Sequence, residues 1–186
     1  MARIYTRGGD AGSTGLYDGS RVSKDHPRVA FTGELDELNA LLGLAGGLLP
    51  GDVGDLPSEL MALQRDLFAL GALVADPRRD DETDESAVDE RLRLGATRVE
   101  ELERIIDRWE EELAPLTAFI LPGGHPAAGT LHAARAVARR AERSLVALEL
   151  PHLIERAGPY LTRLSDLLFV AARVANARAG LSDVTW

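Results

Sequence analysis

Two stretches of this chain carry residue types and spacings suited to handling a polyphosphate. The first is Thr6-Arg7-Gly8-Gly9-Asp10-Ala11-Gly12-Ser13-Thr14, followed by Arg21 and Lys24. Glycines let backbone N–H groups converge on an anion, and Ser or Thr hydroxyls beside a basic side chain complete a phosphate cradle. No Gly-Lys-Ser/Thr follows at the spacing of a Walker loop, so the motif is a different one. By itself the stretch reads as a flexible tail rather than an ordered loop. The second is Arg135, Arg139 and Glu142, spaced by four and three. Helical geometry puts them on one stripe, roughly 100° round from the apolar seam of the same segment. Arg140 and Arg143 point elsewhere. A single i,i+3 Arg–Glu pair on a surface means little, and a solvated basic face is the plain alternative to an anion site.

Further candidates are less specific. Asp36, Asn39 and Gly43 share a helical face, as do Arg163 and Asp166; either set fits a polar helix contact or an ordinary surface pair. Phe119 sits in Phe119-Ile120-Leu121-Pro122-Gly123-Gly124, which reads as a short extended piece ended by a turn. His125 and His132 read as loop and helix-surface residues rather than metal ligands. The only Glu-x-x-His spacing is Glu149-Leu150-Pro151-His152, where proline is expected to break a helix. A carboxylate-bridged di-iron bundle needs paired copies of that motif and is therefore disfavoured.

The elements that position these residues follow from periodicity. Leu35, Leu38, Leu42, Ala45 and Leu49 predict a helix beginning after Gly33 and ending near Pro50. Leu60, Leu63, Leu67, Leu70 and Val74 predict a second from Pro57, stopping before Pro77. The acidic run 76–90 reads as a solvated loop. A third helix is expected from about Ser86 to Leu113, with Leu94, Val99, Leu102, Ile105, Ile106 and Trp109 as its stripe. A fourth, from Pro126 to about Glu149, has Leu131, Ala134, Ala138, Ala141, Leu145 and Leu148 as its seam. A fifth runs from Pro159 to about Ala179. The expected fold is all-α, an up-and-down five-helix bundle. It forms one domain over 1–186, with an N-terminal nucleotide-binding loop in 1–32 and the bundle in 33–180.

Composition agrees. Of 186 residues, 45% are hydrophobic and 5% aromatic, so the core is built from Leu, Ala and Val, which suits helix on helix. A formal net charge of −9 argues against a nucleic-acid partner but leaves room for one nucleotide. The absence of cysteine excludes disulfides, thiolate metal sites and a thiol nucleophile. Without a leader-like start or a membrane-length apolar run, a soluble cytoplasmic protein is expected.

In order along the chain, these motifs resemble the PduO-type ATP:cob(I)alamin adenosyltransferases. The match runs through Ile4 to Thr14, Arg21-Val22-Ser23-Lys24-Asp25-His26-Pro27-Arg28-Val29 and Gly33-Glu34-Leu35-Asp36-Glu37-Leu38-Asn39. It continues through Phe119 to Gly124, Arg135 to Arg143 and Tyr160-Leu161-Thr162-Arg163-Leu164-Ser165-Asp166. The resemblance implies a ferritin-like bundle assembled as a homotrimer, with ATP between subunits. It implies that Thr6, Arg7, Gly8, Gly9, Asp10, Gly12, Ser13, Thr14, Arg21 and Lys24 surround the triphosphate while Arg135, Arg139 and Glu142 face the nucleotide. Asp36 is then the partner of an arginine, Arg135, across the subunit contact, and Phe119 lies under the corrin in place of its lower ligand. Mg2+ is expected to be held by ATP phosphates and water. A reductase and a B12-dependent acceptor enzyme are the implied partners. Thr162 departs from the family's Asn at a nucleotide-contacting position and predicts weaker ATP binding. The reading from a different functional class is a non-catalytic bundle that carries or chaperones nucleotide or corrinoid.

Overall fold

The computed structural model describes residues 4–5, 7–80 and 96–186. Thr6, Leu94 and the expected start of the third helix at Ser86 lie outside the described residues. A hairpin, β1 (Ser13–Gly15) and β2 (Arg21–Ser23), pairs Ser13 with Ser23 and Gly15 with Arg21. The helices α1 (Pro27–Leu48), α2 (Leu56–Val74), α3 (Ala96–Glu110), α4 (Pro126–Val146) and α5 (Pro151–Arg178) follow.

Cross-helix pairs fix the directions. Glu34–Ser144 and Glu37–Arg140 run α1 against α4, and Asp66–Arg98 with Asp55–Arg108 run α2 against α3. Glu103–Arg163 and Glu112–Arg178 run α3 alongside α5. The bundle is therefore up-down-up-down-up, and the five-helix expectation holds.

The apolar stripes do what their spacing demands. Leu35, Leu38, Leu42 and Ala45 are buried, as are Leu60, Leu63, Leu67, Leu70 and Val74. On α4, Leu131, Ala134, Ala138, Ala141 and Leu145 are likewise buried; alanines let α1 and α5 approach this helix closely, so α4 sits at the centre of the packing. Leu49 and Leu148 pack at the margin.

Two helix starts differ from the periodicity, and α3 and α4 each end three residues short of their expected limits, at Glu110 and Val146. Helix α1 starts at Pro27, not after Gly33, because His26 Nδ1 accepts a hydrogen bond from Arg28 N at 3.2 Å and proline is suited to a first helical position. The same His-Pro pair starts α4, where His125 Nδ1 accepts from Ala127 N at 3.2 Å. Helix α5 starts at Pro151, eight residues ahead of Pro159, which lies within it. Pro151 thus begins a helix instead of breaking one, and burial of Leu153, Ala157 and Tyr160 outweighs the missing N–H of Pro159. The acidic run is also ordered at its start. Asp76 is buried, accepts from Arg78 Nε at 2.7 Å and Nη2 at 2.8 Å, and heads a short 3₁₀ turn. Arg28 spans from Val74 O (2.6 Å) to Asp80 and ties this turn to α1.

Candidate functional site

The glycine-rich stretch is a built loop. Arg7 and Gly12 take positive φ (60° and 82°), and Gly12 N donates to Gly9 O at 3.2 Å. Lys24 N then donates to Gly12 O at 2.9 Å, fastening the loop to the hairpin. One terminal nitrogen of Arg21 donates to Gly8 O (2.6 Å), Ser13 O (3.2 Å) and Ser13 Oγ (2.5 Å). Arg21, expected to supply charge to phosphate, uses this nitrogen to hold the loop closed. Gly9 matters for space: a Cβ there would lie 3.3 Å from Lys24 Cε and 3.4 Å from Nζ. The Lys24 side chain thus lies over the loop and is exposed, with no ion pair among the described residues. Asp10 is exposed, and Arg7 stacks on Tyr5 at 5.8 Å. Tyr17 N donates to Ala75 O at 2.9 Å and docks the hairpin on the end of α2. A cavity of about 430 Å³ results, lined by Thr14, Thr32, Asp36, Asn39 and Phe68 among others.

The α4 stripe lies toward α5. Arg139 is exposed and its guanidinium has no partner among the described residues; only its carbonyl is used, by Arg143 Nη1 at 2.9 Å. Glu142 accepts from Thr162 Oγ1 at 2.5 Å, so this threonine fixes the carboxylate. Arg140 points to α1 and pairs with Glu37 and Glu34. Arg135 is half-buried, with Nε enclosed and unpaired. It lines a cleft of about 910 Å³ with Leu116, Phe119, Phe169 and Trp186.

That cleft owes its rim to long-range pairing. Ile120 bridges Thr185, Leu121 N donates to Val184 O at 2.7 Å, and Trp186 N donates to Phe119 O at 2.8 Å. Phe119 and Trp186 are consequently cross-strand neighbours, 83% and 87% exposed. Two exposed aromatics over an apolar cleft suit a flat, largely apolar ligand. The pairing is anchored from α5: Arg173 donates to Asp183 Oδ2 and Ala114 O, both at 2.7 Å. Asn176, buried, accepts from His125 N (2.9 Å) and donates to Gly123 O (3.1 Å). Gly124 has φ +95°, and a Cβ there would fall 2.3 Å from Asn176 Oδ1.

Neither Trp186 nor the Arg173–Asp183 pair stood out as a candidate; no local spacing links residues 119–121 to 184–186. His132 requires a correction. It is 5% exposed and edge-on to Phe169 (6.0 Å), not a helix-surface residue; it sits one residue from the Leu131 seam, on a side that α5 covers. Asn39 and Gly43 serve a contact within the chain. Asn39 Nδ2 donates to Gln64 O (3.2 Å), Gln64 Nε2 donates to Asn39 O (3.1 Å), and Gly43 admits that amide. Arg163 bridges Asp166 (2.7 Å) and Glu103 (2.9 Å). No contact joins the glycine loop to Arg135, Arg139 or Glu142 within one chain among the described residues. Nor, among the described residues, is there a cluster of three or more acidic or histidine side chains placed to cage a metal.

Comparison with known proteins gives these surfaces a context. The chain is 43% identical to a corrinoid adenosyltransferase of Bacillus subtilis over 190 residues, spanning 99% of this chain and 92% of the relative. It is 42% identical to a cobalamin adenosyltransferase of Cupriavidus metallidurans, spanning 100% and 95%. In structure it matches a variant PduO-type ATP:corrinoid adenosyltransferase from Lactobacillus reuteri complexed with cobalamin and ATP. The TM-score is 0.85 at 34% identity, covering 99% of this chain and 96% of that one. The family profile for cobalamin adenosyltransferase matches residues 4–175, and the chain belongs to that family.

Proposed function

We propose that this chain transfers the 5′-deoxyadenosyl group of ATP to the cobalt of cob(I)alamin, releasing triphosphate. The observation that carries the reading is a division among its cations. Arg28, Arg98, Arg108, Arg140 and Arg178 each hold a carboxylate. Lys24 and Arg139 have none among the described residues; Arg65, Arg143 and Arg156 also lack one, but of these Lys24 and Arg139 are the ones at nucleotide positions of the family's motifs.

In this chemistry the cobalt of the substrate is the nucleophile. It attacks C5′, the C5′–O bond breaks, and the electron pair leaves on triphosphate. No serine, cysteine or lysine nucleophile is needed, so the protein's part is to position the reactants and stabilise the departing charge. Lys24, the loop N–H groups and Arg139 serve the phosphates, with Arg21 shaping the loop. Glu142, held by Thr162, faces the nucleoside. Phe119 packs beneath the corrin, excluding water and a lower ligand.

No contact joins the loop to the α4 stripe within one chain among the described residues, which supports a site completed by a second copy. We therefore read the assembly as a homotrimer, with Asp36 of one subunit meeting Arg135 of another. The same reading has Mg2+ accompany ATP, with one domain working in the cytoplasm beside a reductase and a B12-dependent acceptor. Among the described residues no helix is long and apolar enough to cross a membrane.

The decisive experiment mixes protein, ATP, magnesium and chemically reduced cobalamin without oxygen and follows the visible spectrum. Adenosylcobalamin should accumulate with stoichiometric triphosphate. Tight binding of both ligands without product would instead favour a carrier.

A further inference from the structure

Behind the Phe119 cleft lie buried polar atoms with no part in the chemistry above. Neither ring nitrogen of His132 has a hydrogen-bond partner among the described residues. Asp183 Oδ1 is likewise enclosed and unpaired, while Oδ2 accepts from Arg173 Nε at 2.7 Å. Buried polar atoms left unmatched are costly and uncommon. Here a donor-capable ring and an acceptor oxygen are left over in the same region.

Their placement ties them to the cleft. Phe169, against which the His132 ring sits edge-on, lines the cleft with Arg135. Asp183 precedes the 184–186 segment, whose backbone pairs with 119–121. The charged groups around the ring are Arg135 from α4, Asp183 from the C-terminal segment, and Arg173 from α5 on the same carboxylate. Residues 114–121 carry no ionisable side chain. Nor do residues 41–48, which the antiparallel register of α1 brings alongside this half of α4. Burial first, and then Arg135, hold the imidazole below the ordinary histidine range, while Asp183 pulls the other way.

We propose that His132 is a positioning residue for the Phe119–Trp186 pair, acting through the free oxygen of Asp183. The neutral ring leaves Asp183 to Arg173 and the strand pairing as described. The protonated ring donates to Asp183, competes with Arg173, and shifts 183–186 together with 119–121. Mild acid therefore resets the aromatic wall of the cleft. Only the consequence for turnover rests on the adenosyltransferase reading; the movement can be followed without any substrate.

The test is the fluorescence of the full chain titrated from pH 8 to 5, with Trp186→Phe giving the Trp109 background. A transition centred below about pH 6.5 is expected in the wild type and in His152→Gln. It should vanish in His132→Gln and in Asp183→Asn, and the latter carries the test if His132→Gln fails to fold. With cob(II)alamin and a reductant, wild-type kcat should fall at least threefold across that range at unchanged KM for ATP, and His132→Gln should be flat. A wild-type transition persisting in His132→Gln or Asp183→Asn overturns the proposal. Product formation without any Trp186 transition rejects this device alone, whereas a transition without product rejects only the reaction.

Discussion

Arg139 is exposed, unpaired and one turn from a carboxylate that is already committed to Thr162. A guanidinium on a leaving triphosphate contributes several kcal/mol, and each ~1.4 kcal/mol is tenfold in rate. Arg139→Ala should therefore lower kcat/KM by at least about a hundredfold with the melting temperature unchanged, measured by the anaerobic spectral assay. Near-normal kinetics would return the stripe to a solvated basic face. Phe119→Ala should leave ATP binding intact while slowing conversion from cob(II)alamin more than from preformed cob(I)alamin; equal slowing by both routes would contradict a role beneath the corrin. Gly9→Ala pushes a methyl to 3.3 Å from Lys24 Cε, and a raised KM for ATP at little-changed kcat is expected from steady-state kinetics. What sequence reasoning caught at this scale was that Arg139 and Arg140 part along one helix; that Arg140 reaches Glu34 and Glu37 of α1 came from the structure. It misjudged His132, because burial by Phe169 depends on a helix some forty residues away. It gave no sign that Arg21 reaches back to Gly8 O and Ser13 O, since basic charge near a loop does not reveal which backbone oxygens it meets.

At the scale of elements, the spacing of leucines and alanines was enough to place five helices and their inner faces. The ends were harder. Gly33 resembles a boundary but lies mid-helix once His26 caps α1, and Pro159 resembles a start but is carried by a buried stripe on both sides. The join at the foot of the bundle yields a stability prediction. Asp55 accepts from the buried Trp109 indole at 3.1 Å, from Arg108 at 2.6 Å and from Arg178 at 3.0 Å. Burial by itself would raise this carboxyl, but the Arg178, Trp109 and Arg108 hydrogen bonds outweigh it and hold it below the ordinary range. A depressed carboxylate contributes stability that is fully present above its unfolded value near 3.9 and lost as pH falls through the folded one. Asp55→Ala should cost about 2 kcal/mol at pH 7 through the stranded indole N–H. In urea unfolding, the gap to wild type should narrow as the pH falls below about 4; a constant gap would mean that the ion pairs add nothing.

At the scale of the whole molecule, no contact joins the loop to the stripe among the described residues, and the proposed assembly would complete each site between two copies. Sedimentation should find a trimer. Asp36→Arg, on an exposed position of α1, should place like charge against Arg135 of the neighbour, dissociate the assembly and abolish turnover together. An active monomer would contradict the shared site. None of this was legible from periodicity, which reports which face is apolar but not what covers it from outside. The pairing of 119–121 with 184–186 was equally silent, because residues more than sixty apart share no local pattern.

The contact between Gly124 and Asn176 has a consequence for how this chain can vary. A side-chain amide lies where the Cβ of residue 124 would be and meets the loop backbone on both sides, at His125 N and Gly123 O. The two positions therefore form one unit of inheritance. Gly124→Ala alone loses the join, and shortening Asn176 alone strands a buried N–H. Only a coordinated double change, with a smaller polar residue at 176 to vacate the space, opens a passable route, and the left-handed φ of residue 124 still narrows it to Asn or Asp.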